Sequence, residues 1–102
     1  MTSPTVAVAV RLWLETIGAT SPPVVVEGLD AVVRELVPDA FMALPLDDVH
    51  EPDFQLLYEG MRALDVGLLK VTVVHLVLIQ AFELARILGF AEVNTPAPVP
   101  PP

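Results

Sequence analysis

The sequence predicts an all-α protein: a small helical bundle of three or four helices with a long C-terminal helix, completed by oligomerisation. Three observations carry this. Apolar residues recur at helical spacing in successive segments. Prolines stand where helices start or stop. The chain of 102 residues is 54% hydrophobic but only 18% charged, against roughly 25% charge in typical soluble domains. A single domain of this size has much surface and little interior, so part of the apolar excess is expected in an interface. One helical domain over residues 1–93 and a proline-rich extended tail over 94–102 are expected.

The first segment, Val6 to Ile17, has two readings. As a helix it places Val6, Val10, Trp13, Leu14 and Ile17 on one flank. As a strand it alternates, with Val6, Val8, Val10, Leu12 and Leu14 on one face. Helix is adopted, because the central alanines are good helix formers and no clear hairpin partner follows. Gly18 to Pro23 reads as a turn, in which Ser21 before Pro22 is suited to capping the next helix. Helical character is clearest from Leu29 to Val37, where Asp30 and Arg34 form an i,i+4 pair. There Leu29, Val32, Val33, Leu36 and Val37 supply the buried stripe, and the stretch before them is free to begin extended. Pro38 ends it.

Residues 38–52 form a connector that plugs Phe41, Met42, Leu44 and Leu46 into the core while Asp47 and Asp48 face water. Pro52 and Asp53 then mark a helix start. No further proline occurs before Pro96, so one helix over about 53–88 is possible, with Gly60 and Gly67 as the points where it would break or bend. On a helical wheel, Gly60, Ala63, Gly67, Val74, Ala81 and Ala85 form a narrow stripe of small residues, which lets another helix approach closely. Asp65, Thr72 and Glu83 fall almost opposite, yet Leu69, Leu76 and Ile79 interrupt that polar side. A helix apolar most of the way round is normally buried. The tail NTPAPVPPP favours extended polyproline geometry.

Charge narrows the function classes. Thirteen Asp and Glu against five Lys and Arg give a net charge of −8, and the basic residues are scattered singly, so no nucleic-acid partner is expected. There is no cysteine, which excludes thiolate catalysis and Cys-ligated metal centres. The N-terminus lacks the basic start and uninterrupted apolar run of a secretory signal, and a cytoplasmic location is expected. Val66 to Phe82 is 17 residues with only Lys70 charged, short of the ~20 needed for a span.

No catalytic, cofactor or metal residues are assigned. Asp47, Asp48, His50, Glu51 and Asp53 are dense but match no calcium loop, and read as a solvated lead into a helix. His75 reads as a hydrogen-bonded core or interface histidine. Lys70 needs an acid or a route to water; Glu59 is ~16 Å away along a straight helix, so Lys70 is expected either to reach an acid on another helix or chain or to snorkel to water. The interface candidates are Trp13, Gly60, Ala63, Gly67, Lys70, Val74, His75, Ala81 and Ala85. The leading function is a non-enzymatic interaction protein, scaffold or accessory subunit that binds itself or a larger protein. A small-molecule or lipid carrier with an apolar cavity, and a small enzyme with a site shared between chains around His75 and Lys70, are the alternatives.

Overall fold

The computed structural model describes residues 4–90. They form five α-helices: α1 Val6–Gly18, α2 Pro23–Leu36, the short α3 Asp39–Met42, α4 Glu51–Ala63 and α5 Leu68–Ile87, with a 3-10 turn at Leu46–Asp48. The expected all-α class with a long C-terminal helix is observed. Two additions refine it: the connector holds a short helix of its own, and the 53–88 segment is two helices. The proline-rich tail over 94–102 lies outside the described residues.

The Val6 to Ile17 segment is a helix. The Thr5 side chain caps it, its Oγ1 accepting from the Val8 N–H at 3.3 Å. Backbone bonds from Val6 to the Leu44 carbonyl and from Leu46 to the Pro4 carbonyl, 2.9 and 2.8 Å long, tie the chain ahead of α1 to the connector. α2 begins six residues earlier than its clearest sequence signal. Pro22 occupies the N-cap position without a side-chain bond, and Pro23 is the first helical residue. Ser21 is therefore not the cap. A proline with fixed φ and no N–H to satisfy starts the helix instead, and the valines that follow simply continue it.

α4 starts with the His50 backbone N–H donating to the Asp53 carboxylate at 2.8 Å, so the acidic residue read as a dipole partner also satisfies an orphan donor. α4 ends through its last turn. Asp65 takes a left-handed φ of 55°, with its N–H bonded to the Arg62 carbonyl and that of Val66 to the Met61 carbonyl. This is a Schellman closure with aspartate in the place usually held by glycine. α5 closes the same way at Gly89, φ 76°, where Phe90 bonds back to the Ala85 carbonyl. The break thus falls at 64–67, and Gly60 stays inside α4.

The core collects Val6, Ala9, Val10 and Leu14 from α1, Val33 and Val37 from α2, and Phe41, Leu46 and Val49 from the connector. Phe54, Leu57, Tyr58 and Met61 come from α4, and seven residues from α5. Phe41, Phe54 and Phe82 run through it as tilted rings with centroids 5.7 and 5.6 Å apart, a favourable edge-to-face geometry. α1 is the principal neighbour of α5, followed by α2. The molecule is a slab of 37 × 34 × 20 Å. Twenty ångströms is about two helix diameters, so a helix in one layer is covered from one side only.

Candidate interaction surface

The consequence falls on α5. Its inward arc carries Val71, Val74, Val77, Leu78, Ala81, Phe82 and Ala85, all buried. The opposite arc is Leu68, Leu69, Thr72, Leu76, Ile79, Glu83 and Ile87, spaced at i, i+3, i+4 and i+7 as one helix face requires. Leu69 is 78% exposed, Leu68 72%, Ile87 65% and Leu76 52%. Ile79 is half-buried. A leucine exposed singly is ordinary; several of them on one face along 20 residues of helix, interrupted by Thr72 and Glu83, form an apolar stripe open to solvent.

Charge on this face is balanced. Glu83 and Arg86 form an i,i+3 ion pair. The Arg86 hydrogen bond holds the Glu83 carboxyl below its ordinary range, and the Glu83 carboxylate raises Arg86 in turn. Thr72 turns its hydroxyl onto the Leu68 carbonyl at 2.8 Å, which presents its methyl outward and hides the polar atom. On the flank, Lys70 reaches Glu35 of α2, with Nζ 3.2 and 3.3 Å from the two carboxylate oxygens. The expected acid on another helix is found. Both side chains are about half exposed, so Lys70 is a surface residue rather than a buried amine.

Beside that pair, a cleft of 350 Å³ opens between the end of α2 and the α4–α5 turn. Leu36, Leu64, Val66 and Leu69 line it together with Glu35, Asp65, Gly67 and Lys70. Leu64 is 78% exposed. Apolar walls with charged neighbours suit a protein contact. A second cleft of 310 Å³ lies between α3 and α4, around Phe41, Leu44, Leu56 and Leu57.

His75 sits at the edge of the core, half-buried. Its Nδ1 lies 2.7 Å from the Tyr58 hydroxyl on α4, and the rings meet edge-on. Burial lowers the histidine pKa and pushes the tyrosine up to about 12. The phenol therefore stays protonated at ordinary pH, and its hydroxyl shares a hydrogen bond with the imidazole Nδ1. The pair bolts α4 to α5.

The remaining interface candidates fall into two groups. Val74, Ala81 and Ala85 are buried within the chain, where small side chains let neighbouring helices come close. Trp13 is half-buried against the same core. Gly60, Ala63 and Gly67 are exposed, and a Cβ built on either glycine meets nothing within 4 Å. The break at 64–67 divides the stripe between two helices, so it does not form one continuous close-contact surface. What the small-residue reading passed over is the apolar row on the other side of α5. Its signal was Leu69, Leu76 and Ile79 interrupting the polar arc.

The acidic cluster before α4 is accounted for in part by the His50–Asp53 cap. Among the described residues, no group of three His, Asp or Glu is arranged to hold a metal ion. Comparison of the chain with protein-family models, with curated proteins and with solved structures finds no match.

Proposed function

We propose that this chain is a non-enzymatic interaction module, and that the outward face of α5, with the cleft at its N-terminal end, receives a protein partner. The observation that carries this is the row Leu68, Leu69, Leu76 and Ile87, half to four-fifths exposed along the longest helix. An apolar row of this length in water favours association, because covering it removes apolar area from solvent. Charged groups near it are paired within the chain, Glu83 with Arg86 and Lys70 with Glu35, so a partner meets no isolated charge there.

The alternatives have weaker support. A carrier needs an enclosed apolar cavity, and the tilted Phe41, Phe54 and Phe82 rings lie packed in the core. A shared catalytic site around Lys70 and His75 needs these groups to converge. They sit about 140° apart around α5 (five residues at ~100° each), one engaged by Glu35 and the other by Tyr58. A bilayer is the second reading with an observation behind it: α5, at 20 residues, is long and apolar enough to cross a membrane. That is more than the 17-residue run suggests, because the helix continues through the Glu83–Arg86 pair.

The absence of native cysteine makes the test direct. Leu76→Cys places one thiol in the middle of the face. It is expected to react freely with a soluble maleimide in dilute purified protein and to be shielded in concentrated extract of the native cell. Equal reactivity in both overturns the interaction reading.

A further inference from the structure

Building on that interaction reading, we propose that the occupant of the α5 face is a second copy of this chain, packed antiparallel across a two-fold axis that passes between Leu76 and Ile79.

The face reads alike in both directions. From its N-terminal end it runs leucine pair, threonine, leucine; from its C-terminal end, isoleucine beside an arginine stem, glutamate, isoleucine. An antiparallel pair centred between Leu76 and Ile79 lays Leu76 on the partner's Ile79, Thr72 on the partner's Glu83, and Leu68 on the partner's Ile87. Apolar groups meet apolar groups at the centre and at both ends, and Glu83, already paired with Arg86, falls opposite the small Thr72. A two-fold contact must be self-complementary in this way, since each surface is its own partner.

Charge permits this occupant and selects the orientation. The chain carries −8, so two copies repel over most of their surfaces. On the α5 face, Glu83 is neutralised by Arg86, and a second acidic chain can approach there without opposing net charge. A parallel pairing would set Glu83 against the partner's Glu83 and align the two helix dipoles unfavourably. The antiparallel register separates the two glutamates by ~16 Å along the helix and opposes the dipoles.

The ends agree. The 350 Å³ cleft with exposed Leu64 and Leu69 lies at the start of α5, and exposed Ile87, Leu88 and Phe90 lie at its finish. Antiparallel packing brings start to finish twice, giving each apolar end something to cover. A 20-residue helix is ~30 Å long, so this contact sits near the lower bound of ~1,200 Å² for a stable interface. A contact of this small size is expected to exchange with monomer rather than to be permanent.

Sedimentation velocity over a concentration series tests the association, and single cysteines test the geometry. The wild-type chain is expected to shift from monomer to dimer across the micromolar range. Leu76→Glu is expected to weaken this at least about tenfold with unchanged helicity, because the residue touches solvent in the monomer. Thr72→Cys mixed with Glu83→Cys is expected to cross-link through a short bis-maleimide, while neither variant cross-links alone. Cross-linking of Thr72→Cys alone means a parallel pair and overturns the proposal. So does a chain that stays monomeric at every concentration. In that case a shielded Leu76→Cys in extract keeps the interaction reading with a different protein, and flotation with phosphatidylcholine vesicles assigns the face to a bilayer.

Discussion

The two sides of α5 are nearly equal in hydrophobicity and opposite in fate. Val74, Val77, Leu78 and Ala81 have no exposed area, whereas Leu69 and Leu76 are 78% and 52% exposed. Hydrophobicity therefore does not say which side of this helix faces the core. Size does: the inward arc is mostly valine and alanine, which lets α1 and α2 pack close, and the outward arc carries long leucine and isoleucine side chains that reach away from the backbone. A slab two helices thick covers a helix once. An apolar helix in such a slab is left with one satisfied face and one open face.

The largest expected effect breaks this contrast most directly. Leu78→Ala, in a site with no exposed area, is expected to cost 2–5 kcal/mol of stability (about the range for leucine truncation in cores). Leu76→Ala, two residues away on the open side, is expected to stay within about 0.5 kcal/mol in dilute monomer. Urea unfolding of both at low concentration checks the pair. Comparable losses would mean that the outward face is already covered within the chain.

Next comes the bolt between α4 and α5. Tyr58→Phe removes the hydroxyl that bonds the His75 Nδ1 and is expected to cost about 1 kcal/mol. The same pair gives a pH signature. Burial holds His75 below the ordinary value of about 6.5, so the unfolded chain takes up its proton first as pH falls. The stability contributed by neutral His75 is complete above about pH 6.5 and is lost as pH drops through the lowered folded value. Tyr58 has the opposite sign. Its pKa is raised from 10.0 to about 12, so its contribution is complete below 10.0 and is lost as pH rises toward 12. His75→Gln is expected to flatten the acid limb in a melting-temperature series. An unchanged limb would assign the acid sensitivity to other groups.

Smaller again is the hinge that turns the chain from α4 into α5. Asp65 holds a left-handed conformation at φ 55°, which costs a non-glycine residue about 1 kcal/mol, and its charge lies at the negative end of the α4 dipole. Asp65→Gly is expected to raise stability by about 0.5–1 kcal/mol without altering the break. A loss on calorimetry would show that the Asp65 side chain supports the turn.

The fold was legible from periodicity and punctuation, because α1, α2 and α4 each set apolar residues at helical spacing between prolines and caps. The start of α2 was obscured because a run of valines has no strong local preference, and two consecutive prolines decided it. The α4–α5 break was harder. Gly67, one of the two glycines read as break points, is the N-cap of α5, but Gly60 lies inside α4 and the residue that closes α4 is an aspartate in a glycine position. The candidate surface was half visible, since Leu69, Leu76 and Ile79 stood out as intrusions on a polar arc. Which arc faced inward depended on α1 and α2 covering the small-residue side. Tyr58 and Glu35 as the partners of His75 and Lys70 carried no sequence signal, for those contacts join separate helices.

The smallest expected effect concerns the border between the covered and open sides of α5. Lys70 and Glu35 join α5 to α2 at 3.2 Å, with both side chains about half exposed. Solvent screens such a pair and ordering two long side chains opposes it, so exposed ion pairs are worth about 0.2–1 kcal/mol. Lys70→Met keeps an aliphatic side chain beside the cleft that Leu36 and Leu69 also line while removing the charge, and is expected to cost a few tenths of a kcal/mol in monomer. That loss should shrink as salt is raised, because screening already weakens the wild-type pair. Association responds differently. Removing the ammonium leaves Glu35 as an unopposed charge in the lining of the cleft, so dimerisation of an acidic chain should weaken while the fold is almost unchanged. Double substitution with Glu35→Gln should restore it. A variant that loses stability and association in proportion would place Lys70 in the fold alone, and would move the boundary of the open face toward Leu69.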